Sequence, residues 1–270
     1  PDRFFDVGIA EQHAVTAATG MAMGGLRPVI AVYSTFLTRA IDQVNLDVGL
    51  HNQPVVFCLD RAGVTGDDGA SHHGVLDMVL MSKIPNMTVF APSSYQEVGV
   101  MLQDALDLCT DGPAAIRFHK TTPDETETQA GSGLFGRKAR EGRDVCILSV
   151  GKMLPAARQA AEQLSEQGIE ATVWDVRLVR PLDQAMLDDA VRHPLTVTVE
   201  DGYREGGAGS AIADRIAGLS GGRVPCHVLG IPTRYLPHGK PDAILADLGL
   251  DADGIAASVH ALVTEQTPAT

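Results

Sequence analysis

The sequence predicts an α/β protein made of two doubly wound units with mainly parallel sheets. Three observations carry that expectation. Short, fully apolar runs alternate with longer stretches of helical period along the chain, the pattern of parallel strands covered on both faces and joined by helices. A polar stretch rich in glycine and charge, residues 121–143, has no sustained period and divides that pattern in two. The chain is also long enough, at 270 residues, for two domains of about 150 residues or somewhat less.

The elements follow in order. Residues 4–10 (Phe-Phe-Asp-Val-Gly-Ile-Ala) form a strand-like run leading directly into a helix, 10–23, with Ala14, Ala17, Ala18 and Met21 at helical spacing. No strand precedes that run, so the first sheet begins with an open edge. Residues 29–33 read as a buried strand and 40–50 as a helix with Ile41, Val44 and Val48 on one face. Strands at 55–59 and 87–90 come next. Ser94, three residues before Glu97, reads as the N-cap of a capping box for a helix through Met101, Leu102 and Leu106. A strand at 114–118 follows the Asp111-Gly112-Pro113 turn and ends the first domain, 1–120. After the linker at 121–143, the second domain, 144–270, restarts with a strand at 145–150, a helix at 154–167 and a strand at 171–175. A helix from Leu182, a strand at 196–200, a helix after Gly206, a strand at 224–229 and C-terminal helices complete it.

Composition excludes several classes. Lys plus Arg is 21 against 34 Asp plus Glu, a formal charge of −13 that disfavours partners presenting phosphate, so neither nucleic acid nor an anionic membrane is expected. No run approaches the roughly 18 apolar residues of a membrane span, and the start, Pro1-Asp2-Arg3-Phe4-Phe5, lacks a signal-peptide pattern as well as an initiator Met. Cys58, Cys109, Cys146 and Cys226 lie far apart with no metal-ligand spacing, which suits buried, reduced thiols in a cytoplasmic protein.

Two segments are placed for chemistry. Glu11 opens a helix, where the macrodipole favours a carboxylate, and its apolar flank suits it to hold or share a proton near neutral pH. Residues 60–74 follow a buried strand directly, the place where parallel sheets bind ligands, and bring together Arg61, Asp67, Asp68, His72 and His73. Adjacent histidines point in different directions, so no metal site is expected there. The glycine-rich loop 206–210 fails both the Walker and the Rossmann patterns, and its glycines are expected to serve close packing.

With these residues in hand, the chain resembles the 1-deoxy-D-xylulose-5-phosphate synthase family, within the transketolase-like thiamine diphosphate enzymes. The resemblance rests on Asp6-Val7-Gly8-Ile9-Ala10-Glu11-Gln12-His13, Tyr33-Ser34-Thr35-Phe36-Leu37 with Arg39, Asp42-Gln43, Asp60-Arg61-Ala62-Gly63, Asp68-Gly69 with His72, and Asp111-Gly112-Pro113. In the second half Ser149-Val150-Gly151, Arg180-Pro181-Leu182-Asp183, Gly207-Ala208-Gly209-Ser210 and Pro237-His238-Gly239-Lys240 continue it.

The resemblance implies a pyrimidine-binding domain followed by a transketolase C-terminal domain, in a homodimer. It further implies condensation of pyruvate with D-glyceraldehyde 3-phosphate with loss of carbon dioxide, the first step of non-mevalonate isoprenoid synthesis. Glu11 takes the place of the glutamate that hydrogen-bonds N1′ of the thiamine pyrimidine, Phe36 that of the aromatic stacked on the ring, and Arg39 lies one turn later. His72 corresponds to the active-site histidine, with His73 its close competitor. Tyr33, Arg61 and Asp68 correspond to acceptor-site positions. Lys120 is the candidate second cation for the substrate phosphate, in a stretch where His119 and Thr121 replace the family's proline and glycine.

The family holds the diphosphate and Mg²⁺ through an N-terminal domain with a Gly-Asp-Gly…Asn motif, absent from this sequence. The expectation is therefore a truncated, cleaved or split synthase, inactive alone, whose partner is that N-terminal portion. The alternatives are a β-type subunit of another thiamine diphosphate 2-oxoacid enzyme, a non-catalytic orphan half, and, more weakly, a flavin or nucleotide carrier.

Overall fold

The computed structural model describes residues 3–120 and 130–266; residues 121–129 of the expected linker lie outside them. In the first half the chain forms α1 (Glu11–Met23), β1 (Val29–Tyr33), α2 (Ile41–Gln43), β2 (Val56–Asp60), α3 (Asp77–Met81), β3 (Thr88–Phe90), α4 (Tyr95–Leu108) and β4 (Ala114–Arg117). The second half contributes β5 (Arg137–Arg140), β6 (Val145–Ser149), α5 (Leu154–Glu166), β7 (Ala171–Asp175), β8 (Leu178–Arg180) and α6 (Gln184–Ala190). It closes with β9 (Thr196–Tyr203), α7 (Ala208–Ser220), β10 (Cys226–Ile231), α8 (Pro241–Asp247) and α9 (Ala252–Gln266).

Two five-stranded sheets result, in the orders β1-β2-β4-β3-β8 and β10-β9-β6-β7-β5. Each has four parallel strands and one antiparallel edge strand, β8 on the first and β5 on the second. The α/β architecture stands as the apolar runs implied. Val56, Phe57, Leu59, Ala114, Ala115 and Ile116 are buried because helices cover the strands on both sides. One apolar cluster is continuous from Val15 of α1, across Phe57 and Ala115, to Leu148 of the second sheet and Ile212 of α7, so the two halves share core.

Several local expectations need correcting. Residues 4–9 form no strand: Phe4, Phe5 and Ile9 are exposed, Gly8 has φ of 62°, and the Asp6 Oδ1 accepts the Gly8 N–H at 2.9 Å. The described residues offer them no neighbouring strand to pair with, and an isolated extended segment has no ladder to hold it. The helix placed at 40–50 is a 3₁₀ turn, Phe36–Ala40, then α2, then a π turn, Val44–Gly49. Its widened bonds, such as Leu50 N–H to Asn45 O at 2.9 Å, keep Val44 and Val48 buried and bring Gly49 against Ile84.

Part of the expected linker is sheet: β5 pairs with β7, and its Arg140 binds Glu170 at 2.7 Å and Ala171 O at 2.6 Å. Strand β8 also crosses the expected domain boundary, joining the first sheet from the second half of the chain. The capping box is half formed. Ser94 Oγ accepts the Glu97 N–H at 3.4 Å, but the Glu97 carboxylate turns inward to Arg177 Nε at 2.8 Å and the Gly131 N–H at 2.7 Å. The stronger, fully buried charge partner takes the side chain from the cap.

The loop at 206–210 behaves as a packing element. Both oxygens of the buried Glu200 carboxylate accept α7 N–H groups, from Ala208 and Gly209 at 2.9 Å each. A Cβ on Gly209 would lie 2.8 Å from Glu200 Oε1. The helix terminus that could have held a phosphate is filled by the chain's own carboxylate.

A buried ion cluster closes the seam between the sheets. Arg117, at the end of β4, donates from Nε to Asp77 Oδ2 at 2.9 Å and from Nη1 to Asp201 Oδ1 of β9 at 2.6 Å. All three side chains are essentially buried. Burial would raise the Asp201 carboxyl, but Arg117 and Lys152, whose Nζ stands 3.6 Å away, overcome it and bring it down to about 2. Arg117→Met leaves buried Asp77 without its cation and Asp201 with Lys152 alone, and urea unfolding is expected to show a loss of about 3–5 kcal/mol. Adding Asp77→Asn and Asp201→Asn should recover part of it.

His119 sits beside this cluster. Desolvation, with Lys152 adding to it, pushes its imidazole down to about 4. A depressed histidine is neutral in the fold and proton-binding once unfolded, so its contribution is present above about pH 6.5 and lost as pH falls toward 4. Unfolding midpoints measured across that window are expected to fall for the wild type and to flatten for His119→Gln.

Candidate active site

The carboxyl ends of β1, β2 and β4 lie side by side, and the candidate residues gather there with the first turn of α1. Parallel pairing aligns Tyr33 with Asp60, and Leu59 with Arg117, so the segments after these strands emerge at one edge. The Ser34 N–H to Asp60 O bond, 2.7 Å, and the Ala62 N–H to Phe118 O bond, 3.0 Å, extend the ladder into the loops.

One pocket of about 350 Å³ is lined by Gly8, Ile9, Glu11, Val32, Tyr33, Phe36 and Arg39. Glu11, its side chain 13% exposed, faces Arg39 Nη1 at 3.7 Å. Arg39 in turn lies over the Phe36 ring, 5.4 Å from its centroid. A half-buried carboxylate beside an aromatic face fits a flat heterocycle with a ring nitrogen, as an aminopyrimidine is. Among the described residues no group of three His, Cys, Asp or Glu side chains could hold a metal ion.

The second group of candidates adjoins the first through Phe36. Its ring stacks on Tyr33 with centroids 5.5 Å apart and meets the His72 ring edge-on at 5.3 Å. Arg61, with φ of 59°, folds its guanidinium over Tyr33 at 3.8 Å and pairs with Asp60. A non-glycine residue at positive φ is uncommon and recurs where a side chain must be aimed. Lys120 Nζ stands 3.6 Å from Asp68 Oδ2, so the loop that carries His72 and the segment after β4 meet. Glu11, Tyr33, Phe36, Arg39, Arg61 and His72 are thus joined through Phe36 and Tyr33, while Asp68 and Lys120 form a separate pair.

The two histidines part company. His72 is half-buried, with Nδ1 2.9 Å from Ser71 Oγ and its ring against Phe36. His73 is buried and points the other way, between Thr65 and Pro237. Sequence reasoning missed Asp77, Asp201 and Lys152, which brace this site from below. A signal did exist: Arg117 follows three buried apolar strand residues, where a cation needs a counterion.

The cysteines are unpaired, and burial raises the thiols of Cys58, Cys109, Cys146 and Cys226. No helix of the described residues is long and apolar enough to cross a membrane.

Comparison with known proteins identifies the family and the fold. Residues 1–124 match the transketolase pyrimidine-binding domain, and residues 136–255 the transketolase C-terminal domain. The chain is 44% identical to a 1-deoxy-D-xylulose-5-phosphate synthase of Thermobifida fusca, over 98% of this chain and 42% of that protein. It is 46% identical to those of Mycobacterium avium, over 95% and 41%, and Geobacter sulfurreducens, over 97% and 42%. It thus spans less than half the length of these relatives. A solved split gene transketolase, described as an inactive β4 tetramer, superposes with a TM-score of 0.89 at 29% identity, over 99% of this chain and 86% of that one. The chain belongs to the transketolase family, with a pyrimidine-binding domain followed by a C-terminal domain, and is similar along its length to part of the 1-deoxy-D-xylulose-5-phosphate synthases.

Proposed function

We propose that this chain supplies the pyrimidine-binding and C-terminal domains of a cytoplasmic 1-deoxy-D-xylulose-5-phosphate synthase. It would act with an N-terminal portion that binds the diphosphate and Mg²⁺, as a homodimer of the complete unit. The observation that carries this reading is the junction of the two clusters at Phe36: Glu11 and Arg39 on one side, Tyr33, Arg61 and His72 on the other. A cofactor pocket and an acceptor pocket must adjoin for a fragment of one substrate to be passed to another. The identity to synthases of this type supports the choice of substrates.

Thiamine diphosphate supplies, when bound, an acidic carbon able to attack the carbonyl of a 2-oxoacid. The residues of this chain divide the remaining work. Glu11 holds the proton shared with N1′ of the pyrimidine, and Phe36 offers the ring a stacking face. Arg39 steadies the Glu11 carboxylate. Arg61 and Lys120 supply cations for the phosphate of D-glyceraldehyde 3-phosphate, exchanging their present partners, Asp60 and Asp68, for a dianion. His72, at the edge of Phe36, stands where a proton must move between donor and acceptor. The four thiols, unpaired and buried or half-buried, suit a reducing compartment.

Glu11→Gln keeps the hydrogen-bonding shape and removes the charge. Combined with a diphosphate-binding portion, pyruvate and D-glyceraldehyde 3-phosphate, it is expected to release carbon dioxide roughly 10²–10⁴-fold more slowly than the wild type, with unchanged circular dichroism. Equal rates in the two proteins would remove Glu11 from the mechanism. A wild-type assembly active with pyruvate but indifferent to the phosphorylated acceptor would point to another 2-oxoacid enzyme.

A further inference from the structure

Residues 64–73 form a lobe with a narrow neck, where Gly63 and Gly74 exchange two N–H···O bonds of 2.8 Å. The lobe carries Asp68 and His72, yet much of its support comes from the C-terminal domain. A Cβ on Gly63 would run into the Asp201 carboxylate. Lys152 Nζ donates to Val64 O at 3.4 Å. Gly66 closes on the 239–241 segment, where a Cβ would lie 2.6 Å from Gly239 O.

The fourth support is His73, buried at 7% exposure. The Thr65 N–H donates to its Nδ1 at 3.1 Å, which makes Nδ1 the acceptor nitrogen. The proton then belongs on Nε2, which stands 3.2 Å from Pro237 O and donates to it. One neutral ring thus bridges a backbone group inside the lobe to a backbone group of the C-terminal domain. The adjacent residue, His72, faces Phe36.

We propose that His73 is a positioning residue, a latch that docks the 64–73 lobe onto the Pro237–Lys240 segment and so fixes where His72 and Asp68 stand. The C-terminal domain thereby bears on the acceptor side through this lobe. The latch stands on geometry alone; its effect on substrate rests on the function proposed above.

Three variants separate its two bonds. His73→Ala removes both, His73→Asn can keep an acceptor for Thr65, and His73→Gln can keep a donor for Pro237. Amide hydrogen exchange on the 270-residue chain reads the lobe directly, through the bonded amides of Thr65, Gly69, His72 and Gly74. In His73→Ala these are expected to exchange roughly tenfold faster or more, with β6 and β7 unchanged and the other two variants in between. Unchanged exchange in the lobe would overturn the latch. Faster exchange throughout the chain would also overturn it, because His73 would then support the whole fold.

In the assembled enzyme, His73→Ala is expected to raise KM for D-glyceraldehyde 3-phosphate by about tenfold to a hundredfold while KM for pyruvate stays near wild type. An equal rise for both substrates, or none, would deny His73 its positioning effect. An assembly with no wild-type turnover would count against the proposed function and leave the exchange result to decide the latch.

Discussion

Arg117 is the residue on which the two halves of this chain turn. It ends a buried strand of one sheet and is claimed by two carboxylates, Asp77 of its own domain and Asp201 of the other. Removing three charged side chains from water is costly, and such a cluster persists only when each member has its partners. That requirement makes the seam specific: apolar surface would tolerate a range of packings, whereas Asp201 must reach Arg117. Lys152 adds a second cation to Asp201 and reaches Val64 O, extending the same cluster into the loop after β2.

The site depends on that seam through short steps. Arg117 lies three residues before Lys120, and Asp77 three residues after the Gly63–Gly74 neck. Asp201 presses on Gly63, so the same carboxylate that neutralises Arg117 limits where the lobe can begin. The pocket around Glu11 and Phe36 is built differently, from the first turn of α1 and the end of β1 within one domain. One half of the candidate site is thus local to the pyrimidine-binding domain, and the other leans on its neighbour. The division of labour proposed for cofactor and acceptor follows the same line.

Much of this was legible in the sequence. Apolar runs located eight of the ten described strands to within a few residues; the exceptions are β8 and the edge strand β5 inside the polar stretch. Both exceptions are short antiparallel edge strands of mixed composition, for which burial on two faces leaves no mark. Glu97 shows the opposite failure: its spacing from Ser94 was a correct local signal, but Arg177, eighty residues away, offered a stronger partner.

The sequence by itself determined the α/β class, the two-unit plan and the motifs from Glu11 to Lys120, because strand burial and the order of chemistry-bearing loops are written in local composition. The tertiary structure alone decided which histidine faces the site, where the glycine-rich loop's phosphate-like position is filled by Glu200, and how Asp201 braces a loop of the other domain. Those outcomes depend on side chains brought together from distant positions, and the direction in which each is drawn is set by the burial and charge of partners that no local pattern contains.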